Sequence, residues 1–149
     1  MTEGRLLLYR WANCDRLCAK ANGDISTYQA RLDEARDITG LAYDGMPKGS
    51  DVSKPTEQKA LAVLQLEEQY TDHIEYLAKE VARNLLIRRE VDRVLRQLPP
   101  AYTEMATNRY AKGWTWVKIA QTMFMSERRL SQMDEDLVKR IEKTAVFCV

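Results

Sequence analysis

Five polar side chains crowd positions 127–132 of this 149-residue chain: Glu127, Arg128, Arg129, Ser131 and Gln132. Their donors and acceptors match base-pair edges in the major groove of DNA, Arg for guanine, Gln for adenine and Glu for cytosine. Carried on the end of one helix, they would read sequence. A second group, Arg83, Arg88, Arg89, Lys112, Lys118 and Ser126, offers the cations and the hydroxyl that contact backbone phosphates without reading bases. The plainer alternative for both groups is an ordinary solvated helix face.

Other chemistry finds little support. Cys14 and Cys18 stand four apart and so share a helix face, but the single histidine, His73, is remote in sequence and a metal centre needs more ligands than two thiols. Both cysteines are expected in the core. With three cysteines in all, an odd number, a disulfide framework is not expected. The chain has no Gly-rich phosphate loop, no acid pair beside a histidine and no nucleophile motif. Neither an enzyme, nor a cofactor, nor a bound metal is therefore expected.

Net charge is +1, which alone says nothing of a polyanionic partner. Its distribution says more. Residues 51–82 carry three Lys/Arg against seven Asp/Glu, whereas 83–97 carry five Arg against Glu90 and Asp92. Positive charge thus gathers directly before the last third of the chain, where phosphates would pass a bound duplex. Charged residues make up 30% of the sequence and interrupt every apolar run, which excludes a transmembrane helix. Leu6-Leu7-Leu8 is too short for the core of a secretory signal, so the expected location is the cytoplasm of a bacterial host cell.

The elements that would position the reading residues follow from the spacing after Trp114. In a helix-turn-helix the first helix needs a small residue at the crossing, and apolar positions lock the second helix. Counted from Trp116, Ala120, Ile119, Met123, Met125 and Leu130 suit that template. Thr115 and Ser126 can cap the two helices. Phe124 occupies the position where glycine is usual. It either bears a left-handed backbone while its ring packs into the core, or the turn takes another geometry. The second helix is expected over about Glu127 to Lys143. Its Asp134-Glu135-Asp136 turn would repel phosphates, so only the N-terminal end would enter the groove. Trp114 and Trp116 are expected in the core of this small head, with base stacking the lesser alternative.

Upstream, Leu7, Trp11, Cys14, Cys18, Ala21, Ile25, Tyr28, Leu32, Ala35, Thr39 and Ala42 keep a 4-3 spacing without a break, which holds one seam against a partner helix. The first helix is expected to end near Asp44, continuous but weak at Asn22 to Asp24, with a break there as the alternative. A loop over about 45–55 leads to a second helix reaching Leu98, capped by Ser53, with Pro55 in its first turn and a stripe of Leu64, Tyr70, Ile74, Leu77, Val81, Val91, Leu95 and Leu98. Matched lengths suggest an antiparallel hairpin. Leu6, Leu8, Tyr9, Leu61, Leu66, Leu86 and Ile87 fall off these seams, and a second copy could cover them; the alternative is scattered surface residues. The expected fold is all-α, with residues 1–98 a helical hairpin that oligomerises and 99–149 a helix-turn-helix domain.

Leu98-Pro99-Pro100, Arg109-Tyr110, Gly113, Thr115-Trp116, Ile119-Ala120, Ser126 and Leu130 together resemble region four of bacterial sigma factors. With the preceding helical segment and the Gly45-Met46-Pro47-Lys48-Gly49 loop, the chain from about Tyr28 to Lys143 is similar to the ArpU and RinA type of phage late transcription regulators. That resemblance implies a phage or prophage regulator that binds DNA upstream of late operons and raises their transcription. Lys118 and Gln132 depart from it, standing where Glu and Arg are frequent. The expected function is a sequence-specific, double-stranded-DNA-binding transcription regulator acting as a homo-oligomer, with RNA polymerase a further partner. The alternatives are a packaging component resembling a small terminase subunit and a polymerase-binding helical adaptor.

Overall fold

A computed structural model describes the backbone of residues 2–44 and 53–144 and the side chains of 2–37 and 57–144. Among these residues there are helices and no strand, the all-α class expected. α1 (Glu3–Ala12) starts at Thr2, whose Oγ1 accepts from the Arg5 amide at 3.4 Å. α2 (Cys14–Asp44) and α3 (Ser53–Arg96) are the long helices. α4 (Pro100–Ala106) runs on into a π-helical turn, Thr107–Ala111, and α5 (Trp116–Met123) and α6 (Glu127–Glu142) follow. None of the described helices is long and apolar enough to cross a membrane.

The chain divides into two compact units, one of Met1–Cys18 with Ala82–Val149 and one of Ala19–Val81. This differs from the expected division at residue 98. Leu7 and Leu8 of α1 and Ile87, Val91 and Leu95 of α3 share one buried cluster with Met105, Ile119, Leu130, Met133, Leu137 and Ile141. Three short helices alone would leave the inner faces of α4 and α6 wet, so the first helix and the end of α3 complete the head. Leu8 and Ile87, assigned above to a second copy, are covered by their own chain. Leu6, Tyr9, Leu61 and Leu86 remain exposed.

The 4-3 seam holds where side chains are described. Leu7, Cys14 and Leu32 are buried, and Trp11, Cys18, Ala21, Ile25, Tyr28 and Ala35 are half-buried among exposed neighbours. The first helix does break, but at Asn13 rather than near Gly23, through which α2 runs unbroken. Asn13 leaves the helical region at φ −108°, ψ 18°. Its side-chain amide donates to the Tyr9 carbonyl at 2.9 Å and to the Tyr110 carbonyl at 3.1 Å, an alternative to continued helix that asparagine readily takes.

In the unit Ala19–Val81 the two helices pair antiparallel. Arg36 Nε donates to Glu67 Oε1 at 2.6 Å, and the Tyr28 ring meets Tyr70 at 5.4 Å and His73 at 4.7 Å between centroids. The α3 stripe is the expected one from Tyr70 onward and differs at its start, where Leu64 is 59% exposed and Val63 and Leu66 take the inner positions. α3 includes Ser53 within the helix rather than as its cap, with Pro55 in the first turn. The Gly45 to Gly49 motif and the rest of 45–52 lie outside the described residues, as do the side chains of Thr39 and Ala42. At its other end α3 tightens into 3₁₀-type bonds, Gln97 N to Val94 O and Leu98 N to Leu95 O, each 3.1 Å. Extended Pro99 then turns the chain, and Pro100 opens α4 at a position where its missing N–H costs nothing.

Candidate nucleic-acid interface

The local chemistry of 115–129 sets the geometry of α5 and α6. Thr115 is extended and its Oγ1 accepts from the Lys118 amide at 3.3 Å, starting α5. Phe124 closes the helix in the left-handed region at φ 56°, ψ 42°, and the Met125 amide reaches back to the Ala120 carbonyl at 3.2 Å. Ser126 is extended and its Oγ accepts from the Arg129 amide at 3.1 Å, starting α6. The turn thus adopts the strained geometry and not another one. The expected destination of the ring is corrected, because Phe124 is 93% exposed and contributes nothing to the core.

α6 lays Leu130, Met133, Leu137, Val138 and Ile141 into the core. That orientation leaves Glu127, Arg128, Arg129, Ser131 and Gln132 exposed on its first two turns. Ser126 is exposed beside them, its hydroxyl engaged as the cap.

The acidic turn differs from expectation. Asp134 is buried and accepts from the Tyr110 hydroxyl at 2.6 Å and from Arg5 Nη2 at 3.3 Å. Asp136 accepts from the Tyr102 hydroxyl at 3.1 Å and from Arg140 Nε at 3.3 Å. Two of the three carboxylates are therefore satisfied inside the unit, and Glu135 alone of the three is exposed, so less of α6 is closed to phosphates than the sequence implied. Burial, reinforced by the Asp134 bond, pushes the Tyr110 phenol well above its ordinary range, and burial with the Asp136 bond raises Tyr102.

Of the cations expected at phosphates, Arg83, Arg88 and Arg89 are exposed on α3. Arg88 is engaged, donating to Asp15 at 2.6 Å. Lys112 and Lys118 are brought together, their Nζ atoms 4.7 and 4.3 Å from the Trp114 ring centroid. Arg109, which the reading by residue type left out of the site, lies with Cζ 4.6 Å from the Trp116 centroid and donates to the Trp114 carbonyl at 3.0 Å. A signal was present in its spacing, three residues before Lys112 and within reach of two tryptophans. Trp114 and Trp116 are half-buried and pack against the core cluster, as expected of them.

Cys14 is buried, with Sγ 3.5 Å from the Asn84 carbonyl and 3.9 Å from Cys18 Sγ. Burial raises the Cys18 thiol, which disfavours the reactive thiolate. No group of three or more metal-ligating side chains occurs among the described residues.

Comparison with known proteins returned no matching family model, no matching curated protein and no matching solved structure.

Proposed function

We propose that this chain is a sequence-specific DNA-binding transcription regulator, working in the bacterial cytoplasm as a homo-oligomer and activating phage or prophage late genes of the kind its sequence resembles. The observation that carries this reading is the pair α5 and α6, joined by a tight left-handed turn, with five side chains of base-reading types exposed on the first two turns of the second helix. In the proposed mode α5–α6 is a helix-turn-helix. The N-terminal end of α6 enters the major groove, Arg128, Arg129, Gln132, Glu127 and Ser131 meet base edges, and Lys112, Lys118, Arg83, Arg89 and Ser126 meet phosphates. Arg88 joins them only if it leaves Asp15.

The action is binding, with no bond made or broken in the DNA; activation adds a contact to RNA polymerase. The homo-oligomer rests on Leu61, Leu64 and Tyr76, large apolar side chains exposed along α3. The test is a pull-down of fragmented phage and host genome with purified protein, sequenced at two salt concentrations. A discrete site that survives the higher salt is the expected result; uniform, salt-sensitive recovery would sink sequence-specific regulation. With that site in hand, Arg128→Ala is expected to weaken binding and relax base preference at one position by about 1–3 kcal/mol, measured by competition among single-base variants.

A further inference from the structure

We infer that Lys112 and Lys118, converging on Trp114, form a site for one phosphodiester group of a DNA duplex backbone, and that Arg109 is the residue that positions them. The inference rests on the DNA-binding reading and deepens it. Both ammonium groups lie within 5 Å of a single indole ring, and a guanidinium lies over the neighbouring one. None of the three cations has a carboxylate at ion-pair distance among the described residues, whereas Arg5, Arg36, Lys79, Arg88, Arg93 and Arg140 all do. Two ammonium groups that share one ring without a counter-ion repel each other, and an anion placed between them relieves that repulsion.

The backbone keeps them there. In the π-helical turn the Lys112 amide reaches the Thr107 carbonyl at 3.1 Å. Gly113 then takes φ 68°, and the Trp114 amide returns to the Asn108 carbonyl at 3.0 Å. The chain so reverses that residues on either side of the turn meet over one ring. Arg109 locks the reversal through its bond to the Trp114 carbonyl, and Asn13 holds the π turn from outside by donating to the Tyr110 carbonyl.

The occupant is a phosphate group, because two ammoniums can each donate to a different oxygen of one tetrahedral anion. It is a backbone phosphate rather than a nucleotide, because the cations occupy the space over the Trp114 and Trp116 rings where a stacked base would lie. The contact is blind to sequence.

The test is fluorescence anisotropy of the full chain with a labelled random-sequence duplex across a potassium chloride series. Lys112→Gln and Lys118→Gln are each expected to lower affinity, and the double variant, which gives up the one phosphate the two lysines share, to lower the slope of log affinity against log salt by about 1, with equal losses on every duplex. Arg109→Lys, which keeps the charge but loses the fork, is expected to lower affinity with the slope unchanged. Lys112→Glu and Lys118→Glu are expected to deepen the loss. A double variant with the wild-type melting curve and the wild-type slope overturns this site and leaves the DNA reading intact. Loss confined to one sequence assigns the lysines to base reading and overturns it too, as does displacement of the duplex by micromolar pyrophosphate. A wild-type chain that binds no duplex at low salt overturns both.

Discussion

Phe124 stands in a left-handed backbone with its ring in solvent, so neither the conformation nor the side chain stabilises the fold. An L residue with a full side chain pays roughly 1–2 kcal/mol for that region, which asparagine tolerates by local hydrogen bonding. Phe124→Asn is therefore expected to stabilise the unit by about 1 kcal/mol and raise its melting temperature by about 4–8 °C. A simultaneous loss of DNA affinity in the same variant would give the exposed ring a part in binding. Tyr110 presents the opposite case. Its hydroxyl satisfies the buried Asp134, and Tyr110→Phe is expected to cost about 1–3 kcal/mol by leaving that carboxylate short of a donor. The neutral phenol is favoured in the folded state, so the contribution of Tyr110 is fully present below the ordinary phenol value of about 10 and is lost as pH rises past it. Chemical denaturation at a series of alkaline pH values should show stability falling across that window, less steeply in Tyr110→Phe; equal slopes would count against the assignment.

At the level of elements, some boundaries were legible from single residues and others were not. Thr115, Ser126 and the left-handed position at 124 could be read because caps and tight turns are governed by residues within a few positions of one another. The break at Asn13 could not. The apolar spacing of Trp11 and Cys14 runs straight through it, and what fixes Asn13 is a carbonyl 97 residues away. The placing of Leu8 and Ile87 failed for a related reason: a seam rule assumes one partner helix, while α1 packs against α6 and the π turn and shares its buried cluster with the end of α3. The spacing of Arg109 from Lys112 marks it as a member of a basic cluster, but its bond to the Trp114 carbonyl depends on the π turn, a widening with no sequence rule of its own. The α1–α6 approach carries its own prediction. A Cβ on Gly4 would sit 2.8 Å from Val138 Cγ1 and 3.0 Å from Glu142, so Gly4→Ala is expected to destabilise by about 1–3 kcal/mol, read by thermal melting.

For the whole molecule, stability is unevenly shared. Among the described side chains of the unit Ala19–Val81, Leu32 is the only buried apolar one, whereas the other unit holds a contiguous core drawn from every helix from α1 to α6 except α2. Amides of 57–81 are expected to exchange with solvent far faster than those of α6 in dilute protein. If copies associate through Leu61, Leu64 and Tyr76, as the proposed homo-oligomer requires, protection there should rise with protein concentration in hydrogen-exchange mass spectrometry. Protection that ignores concentration would argue against pairing at that surface.

The bond from the Gly4 amide to Glu142 Oε1 joins residues 138 apart. A ribosome makes α1 first and α6 last, at about 5–20 residues per second. Until α6 emerges the nascent chain must carry Leu7 and Leu8 without the helix that covers them, and the head cannot close. Such a domain has no cotranslational half-measure: a message cut short within α6 yields a chain with its first-made helix still greasy and uncovered, a substrate for chaperones and proteases rather than a weakened form of the protein.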